Sequence, residues 1–111
     1  MELGKVIFSD SILDSLEDLV FILFEKDYFS YKENAFDYVD KIIDYVTNDI
    51  HAFPHKKTPK KLSRLGSNYF FYKSNTRTTW FIFFEQKSTH YYISGILNNH
   101  CEEASELEFQ K

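Results

Sequence analysis

Ten residues from His55 to Arg64, His-Lys-Lys-Thr-Pro-Lys-Lys-Leu-Ser-Arg, hold five cations and no acid, and Lys73 and Arg77 follow. The formal net charge of the chain is −4, with nearly all carboxylates in its first fifty and last eleven residues. An acidic body carrying one basic stretch fits a local anion site better than a uniformly basic surface. Lys56, Lys57, Lys60, Lys61, Arg64 and Lys73 are therefore candidates for handling phosphate, set against the plainer reading of a solvated basic loop. The guanidinium of Arg77 could grip two phosphate oxygens at once, or simply pair with one of the many acids. His100 carries an imidazole whose ordinary pKa of about 6.5 allows it to give or take a proton at neutral pH, although a histidine after a strand is usually a surface residue. Tyr69, Tyr72, Tyr91 and Tyr92 offer rings for stacking or hydroxyls for proton donation, or else pack a sheet. Cys101 stands alone with no Cys-His-acid arrangement around it, and reads as a bystander. His51, His55, His90 and His100 lack metal-ligand spacing, and no glycine-rich phosphate loop is present, so no metal or cofactor is expected.

These side chains need elements to hold them. Lys5 to Ser9 reads as a short strand, and Ser9 or Ser11 can cap a helix whose apolar residues Ile12, Leu13, Leu16, Leu19, Val20, Leu23 and Phe24 recur at helical spacing. Phe21 and Ile22 widen that stripe, so the helix is expected to be covered on more than one side. Ser30-Tyr31-Lys32-Glu33 forms a second capping box before Ala35, Val39, Ile42, Ile43, Val46 and Ile50. The short connection Asp27 to Phe29 makes the two helices, near 11–26 and 31–48, an antiparallel hairpin. Phe53-Pro54 ends this half.

The stretch from His55 to Ser63 shows no regular period and is expected to be a loop long enough to carry function. Beyond Gly66 the pattern changes to short aromatic runs. Tyr69–Lys73, Arg77–Glu85 and Tyr91–Leu97 are three strands, joined at Ser74-Asn75-Thr76 and Lys87-Ser88-Thr89. The second is apolar on both faces, as a central strand should be. The predicted fold class is α+β: an N-terminal strand, a helical hairpin, then an antiparallel β-meander forming one sheet. One face packs on the helices and the other is left for a partner or a ligand. Continued alternation places His100 with Tyr92, Ser94 and Ile96.

The length of 111 residues and a composition of 43% hydrophobic and 27% charged residues suit one folded domain, with a core over about 3–100 and a polar acidic tail over 101–111. Aromatics reach 19%, an amount that serves either a core or base stacking. The single cysteine, the absence of a signal-peptide layout in Met-Glu-Leu-Gly-Lys-Val and the shortness of the apolar run Leu19 to Phe24 point to the cytoplasm and to no membrane role.

Several of these motifs together resemble the RelE/ParE superfamily of type II toxins. They are the basic loop with Pro59-x-x-Leu62, then Leu65-Gly66, a tyrosine-rich strand, Thr76-Arg77-Thr78-Thr79-Trp80-Phe81-Ile82-Phe83-Phe84, and Ile96-Leu97-Asn98-Asn99-His100. The resemblance implies a compact antiparallel sheet against two helices, and an antitoxin that neutralises the protein in a hetero-oligomer. It also implies one of two activities: cutting messenger RNA on the ribosome, or inhibiting DNA gyrase without cutting. A third reading is a degenerate toxin that only binds its antitoxin. For the ribonuclease, the implied catalytic residues are Arg77 opening a strand, Lys60 from the preceding loop, and His100 after the last strand. Lys56, Lys57, Lys61, Arg64 and Lys73 would then bind nucleic acid. Where some ribonuclease members carry a loop glutamate this chain has lysine, and Asn98-Asn99-His100 differs from a His-Gly-Arg-like gyrase-inhibitor ending.

Overall fold

The hydroxyl of Ser9 accepts the backbone N–H of Ile12 at 3.2 Å, and its carbonyl accepts that of Leu13 at 3.0 Å, so the first helix opens at Asp10. The computed structural model describes residues 5–25, 35–52, 54–74 and 78–107. The Ser30–Glu33 capping box, the Asp27–Phe29 connection, Phe53, the Asn75–Arg77 part of the hairpin and the last four residues of the tail lie outside them. The described elements are β1 (Val6–Phe8), α1 (Asp10–Glu25), α2 (Ala35–Asp49), β2 (Lys56–Lys57), a 3-10 helix at Lys60–Leu65, β3 (Asn68–Lys73), β4 (Thr79–Lys87), β5 (His90–Asn98) and a second 3-10 helix at Glu102–Glu106.

The two helices form one layer. From α1, Ile12, Leu16, Val20 and Leu23 are buried; from α2 and its end, Tyr38, Val39, Ile42, Val46 and Ile50 are. These positions follow the helical spacing of the apolar residues. Phe21 and Ile22 are 37% and 45% exposed, so α1 is covered on its core side and its outer face is open, contrary to the expectation from sequence. The carbonyl of Ile50, left over at the end of α2, meets His55 Nε2 at 2.8 Å. A carbonyl only accepts, so the imidazole donates from Nε2 and closes the helix end.

The sheet has five strands in the order β1-β5-β4-β3-β2. The meander β3-β4-β5 is antiparallel as predicted, but β1 pairs with β5 in parallel, Val6 opposite Tyr91, so the sheet is mixed. The reason lies in the path: the helix pair returns the chain to the far edge, and the alternating meander brings β5 back beside β1 in the same direction. A further correction concerns the basic segment, which is not a structureless loop. Lys56 and Lys57 add an edge strand to β3, opposite Tyr69 and Asn68. The backbone N–H of Leu62 then bonds the Pro59 carbonyl at 2.9 Å, starting the 3-10 helix.

Trp80 through Phe84 are fully buried in the central strand β4, with Trp80, Ile82 and Phe84 packed in the helix-side core and Phe81 and Phe83 on the other face. That second face was expected to be open. Instead Leu62 and Leu65 of the first 3-10 helix, with Ala104 and Leu107 of the tail, cover Tyr69, Phe81, Phe83 and Leu97. The tail is polar only in average composition: two apolar residues three apart are enough to dock a 3-10 turn. Among the described residues no helix is long and apolar enough to cross a membrane.

A polar chain crosses the helix-side core. Trp80 Nε1 donates to the Tyr38 hydroxyl oxygen at 2.9 Å, and that hydroxyl lies 2.6 Å from Ser74 Oγ. Ser74 in turn donates from both Oγ and its backbone N–H to the carbonyl of Thr78. Tyr38→Phe leaves the buried Trp80 N–H without this acceptor, and the expected loss is about 1–3 kcal/mol of unfolding free energy. Urea unfolding measures it, and an unchanged midpoint would show that the chain of bonds contributes nothing to stability.

Candidate functional site

Two groups of candidate side chains occupy different parts of the sheet. The first lies where β4 begins and β5 ends. Asn99 accepts the backbone N–H of Thr79 on Oδ1 at 2.9 Å and donates its own N–H to the Thr79 carbonyl at 3.0 Å. The backbone N–H of His100 donates to Asn98 Oδ1, also at 2.9 Å. These bonds fix a tight turn in which the His100 ring reaches back, placing Nε2 3.2 Å from Thr78 Oγ1. Thr78 is buried, 1% exposed, so its hydroxyl is a rigid post for an otherwise exposed imidazole. Lys73 pairs with Thr79 across β3 and β4, at this same end of the sheet. Arg77 lies outside the described residues; its sequence neighbour Thr78 is the residue that holds His100.

The position of His100 departs from the expected alternation for a local reason. The register of β4 and β5 shifts between Phe83, opposite Gly95, and Phe84, opposite Ile93, which leaves Ser94 as the extra residue of a bulge. Ile96 therefore falls in the helix-side core, away from Tyr92 and Ser94, and β5 stops at Asn98. Alternation cannot be carried through to residue 100.

The second group is the basic segment. Pro59 enters the 3-10 helix and Leu62, 2% exposed, plugs the second face, so Lys60 and Lys61 between them are held outward. Arg64, on the next turn, lies 3.4 Å from Glu103 of the tail. Lys56 is half-buried with its ammonium 6.0 Å from the centre of the Phe71 ring, while Lys57 is exposed. Lys56 pairs with Tyr69 and Lys73 lies four residues along the same strand, about 13 Å at the usual rise. One phosphate cannot span that distance, so these cations would meet successive phosphates of a chain.

The tyrosines divide by burial. Tyr69 and Tyr91 are core residues at 2% and 6% exposure, and Tyr72 is stacked on Tyr45 with ring centres 3.6 Å apart. Burial, with Asp49 and Tyr72 adding to it, pushes the Tyr45 phenol up to about 12. Tyr92 is exposed, with Lys87 over its ring at 5.8 Å, but it stands six residues of strand away from Asn98, about 20 Å.

Comparison with family models, with curated proteins and with solved structures finds no match to this chain. The residues themselves must carry the functional case. Cys101 is half-buried and its Sγ lies 3.6 Å from Asn98 Oδ1. Burial raises its thiol pKa, a backbone hydrogen bond at Asn98 partly offsets this and Glu103 adds to the rise, which disfavours the nucleophilic thiolate. Among the described residues no three of His, Cys, Asp and Glu are grouped to hold a metal ion.

What remains is an imidazole on a buried hydroxyl post, a lysine at the same sheet end, and a row of outward cations on the same chain. Residue-by-residue reading missed Thr78, Asn99 and Glu103 as partners of these groups. The adjacent threonines Thr78-Thr79 at the mouth of an otherwise apolar strand were the available signal for the first.

Proposed function

We propose that this protein is the toxin component of a type II toxin–antitoxin module of RelE/ParE type, and that it cuts messenger RNA on the ribosome. The observation that carries this reading is the bond between His100 Nε2 and Thr78 Oγ1. It ties the residue assigned to proton transfer to the residue next in sequence to Arg77, and Lys73 shares that end of the sheet. Two helices against an antiparallel β3-β4-β5 meander also agree with what the resemblance implies, while the parallel pairing of β1 with β5 departs from its antiparallel sheet.

In the proposed reaction the ribose 2′-oxygen attacks the adjacent phosphorus and loses its proton, the bond from phosphorus to the 5′-oxygen breaks, and that oxygen takes up a proton. The products are a 2′,3′-cyclic phosphate and a free 5′-hydroxyl. His100 carries one of the two proton transfers; Lys60, which belongs to the basic segment and not to the His100 turn, could take the other only if bound RNA brings the two groups onto one phosphate. Arg77 stabilises the charge that builds on the phosphate. Lys56, Lys57, Lys61, Arg64 and Lys73 hold the flanking backbone. The antitoxin, as partner in a resting hetero-oligomer, would meet the same cations.

Expression from a tightly controlled promoter, with protein and DNA synthesis followed separately, tests this. Early loss of translation with messages cut at ribosome-bound positions is the expected result. DNA breaks with continuing translation would replace it with the gyrase-inhibitor reading. Normal growth, with no cutting by the purified protein on ribosomes, would leave an antitoxin-binding module.

A further inference from the structure

The tail was expected to be a polar extension, yet it is seated on the second face of the sheet beside the basic segment. Ala104 and Leu107 are 3% and 7% exposed and belong to the same apolar cluster as Leu62, Tyr69 and Phe83. The backbone N–H of Leu107 bonds the Ala104 carbonyl at 3.0 Å, so the turn that places both anchors is closed on itself. Anchoring these two residues leaves Glu102 and Glu103 exposed. Glu103 then reaches Arg64, carboxylate oxygen to guanidinium nitrogen at 3.4 Å.

We propose that this docked acidic turn is an occupant in cis of the basic segment: Glu103 holds Arg64 where the phosphate of a bound RNA would otherwise lie. The inference rests on reading that segment as RNA-facing, and it adds a regulatory contact to it. An Arg64 paired with a carboxylate must break that pair before it can neutralise a phosphate and release the cations condensed on the RNA there, so it contributes less to affinity and to its salt dependence. The contact is exposed on both sides, 60% for Arg64 and 48% for Glu103, which makes it weak enough to exchange. The apolar anchors keep the carboxylate close while it exchanges, because the turn need not undock for the side chain to swing away.

The test is binding of the full-length protein to a single-stranded oligouridylate across a salt series. Glu103→Gln is expected to bind about two- to fivefold more tightly than the parent, the range spanned by an exposed ion pair. Its plot of log affinity against log salt should steepen by about 0.7, the increment for one more phosphate contact on a single strand. In an Arg64→Ala background the same change should do nothing. Leu107→Asn, which removes an anchor without adding charge, should tighten binding as Glu103→Gln does.

Equal affinity and slope for parent and Glu103→Gln would overturn the proposal, and so would absence of RNA binding by either. Tightening that persists without Arg64 would also overturn it, because the effect would then be general charge and not this contact. The ribonuclease reading fails separately. A parent that cuts no message, paired with a Glu103→Gln variant that binds more tightly only through Arg64, would remove the nuclease and leave the occupant in cis standing.

Discussion

His100→Ala is expected to slow message cleavage on ribosomes by a factor of about 10²–10⁴, the range for removing a general acid or base. The fold should survive, because the ring is exposed at the end of the sheet and lies outside both apolar clusters. Arg77→Ala is expected to cost about 10²–10³, the range for losing one positioned group that stabilises transition-state charge. Thr78→Val separates chemistry from positioning. It keeps the imidazole and a side chain of similar volume but removes the oxygen that Nε2 meets at 3.2 Å. One ordinary hydrogen bond is worth about 1 kcal/mol, so a fall of roughly fivefold is expected, with a shifted pH profile if the hydroxyl sets the ring's tautomer. Primer extension on a translated message, with each variant matched to the parent by circular dichroism, gives the rates. Cleavage by His100→Ala at the parental rate would remove histidine from the proton-transfer role.

The element types were legible because the chain changes period once. Ile12, Leu16, Val20 and Leu23 repeat at helical spacing, and so do Val39, Ile42 and Val46, whereas the residues after Gly66 come in short aromatic runs. The central place of β4 was legible for a similar reason, since a strand apolar at every position from Trp80 to Phe84 needs cover on both faces. Pairing partners are a different matter. Nothing in Val6-Ile7-Phe8 says that its neighbour is β5 and that the two run parallel, because that follows from the path of the whole chain.

The site was legible in residue type and not in arrangement. His100 and the lysines could be picked out by chemistry, but the bulge at Ser94 that resets the face of every later residue comes from a contact across the sheet. Gly95 was its available signal, since glycine inside a strand often marks a bulge or a close backbone approach. The docking of the tail depends on Ala104 and Leu107 finding a face already half-filled by Leu62 and Leu65. Two apolar residues among acids carry no periodicity long enough to read.

The bulge also explains why the basic segment sits where it does, and it sets the largest stability effect expected here. Gly66 has φ 151° and ψ 160°, a backbone region that is essentially glycine's own. A Cβ there would lie 2.6 Å from Ser94 Oγ, 2.9 Å from the backbone nitrogen of Phe84 and 3.1 Å from Phe83 Cβ. Ser94 Oγ could rotate away, but only by giving up its 2.7 Å bond to the Leu65 carbonyl, and the Phe84 nitrogen cannot move without the central strand. Backbone strain of about 1–3 kcal/mol and a lost hydrogen bond of about 0.5–1.5 kcal/mol give an expected cost for Gly66→Ala near 2–4 kcal/mol. Gly95→Ala would meet the same segment from the other side, at 2.8 Å from the Leu65 carbonyl oxygen, without the strained φ. Its cost should be the smaller of the two. Ser94→Ala alone should cost least, since the hydroxyl is exposed and its partner carbonyl can turn to water. Urea unfolding of the three variants gives the order, and Gly66→Ala within about 0.5 kcal/mol of the parent, a shift ordinary for a surface change, would refute this account. The backbone approach at Gly66 and Gly95 is what lays Lys60–Leu65 against the sheet. Lys60, Lys61 and Arg64 should therefore lose their fixed placement in Gly66→Ala even where the variant remains folded, and RNA affinity should fall with stability.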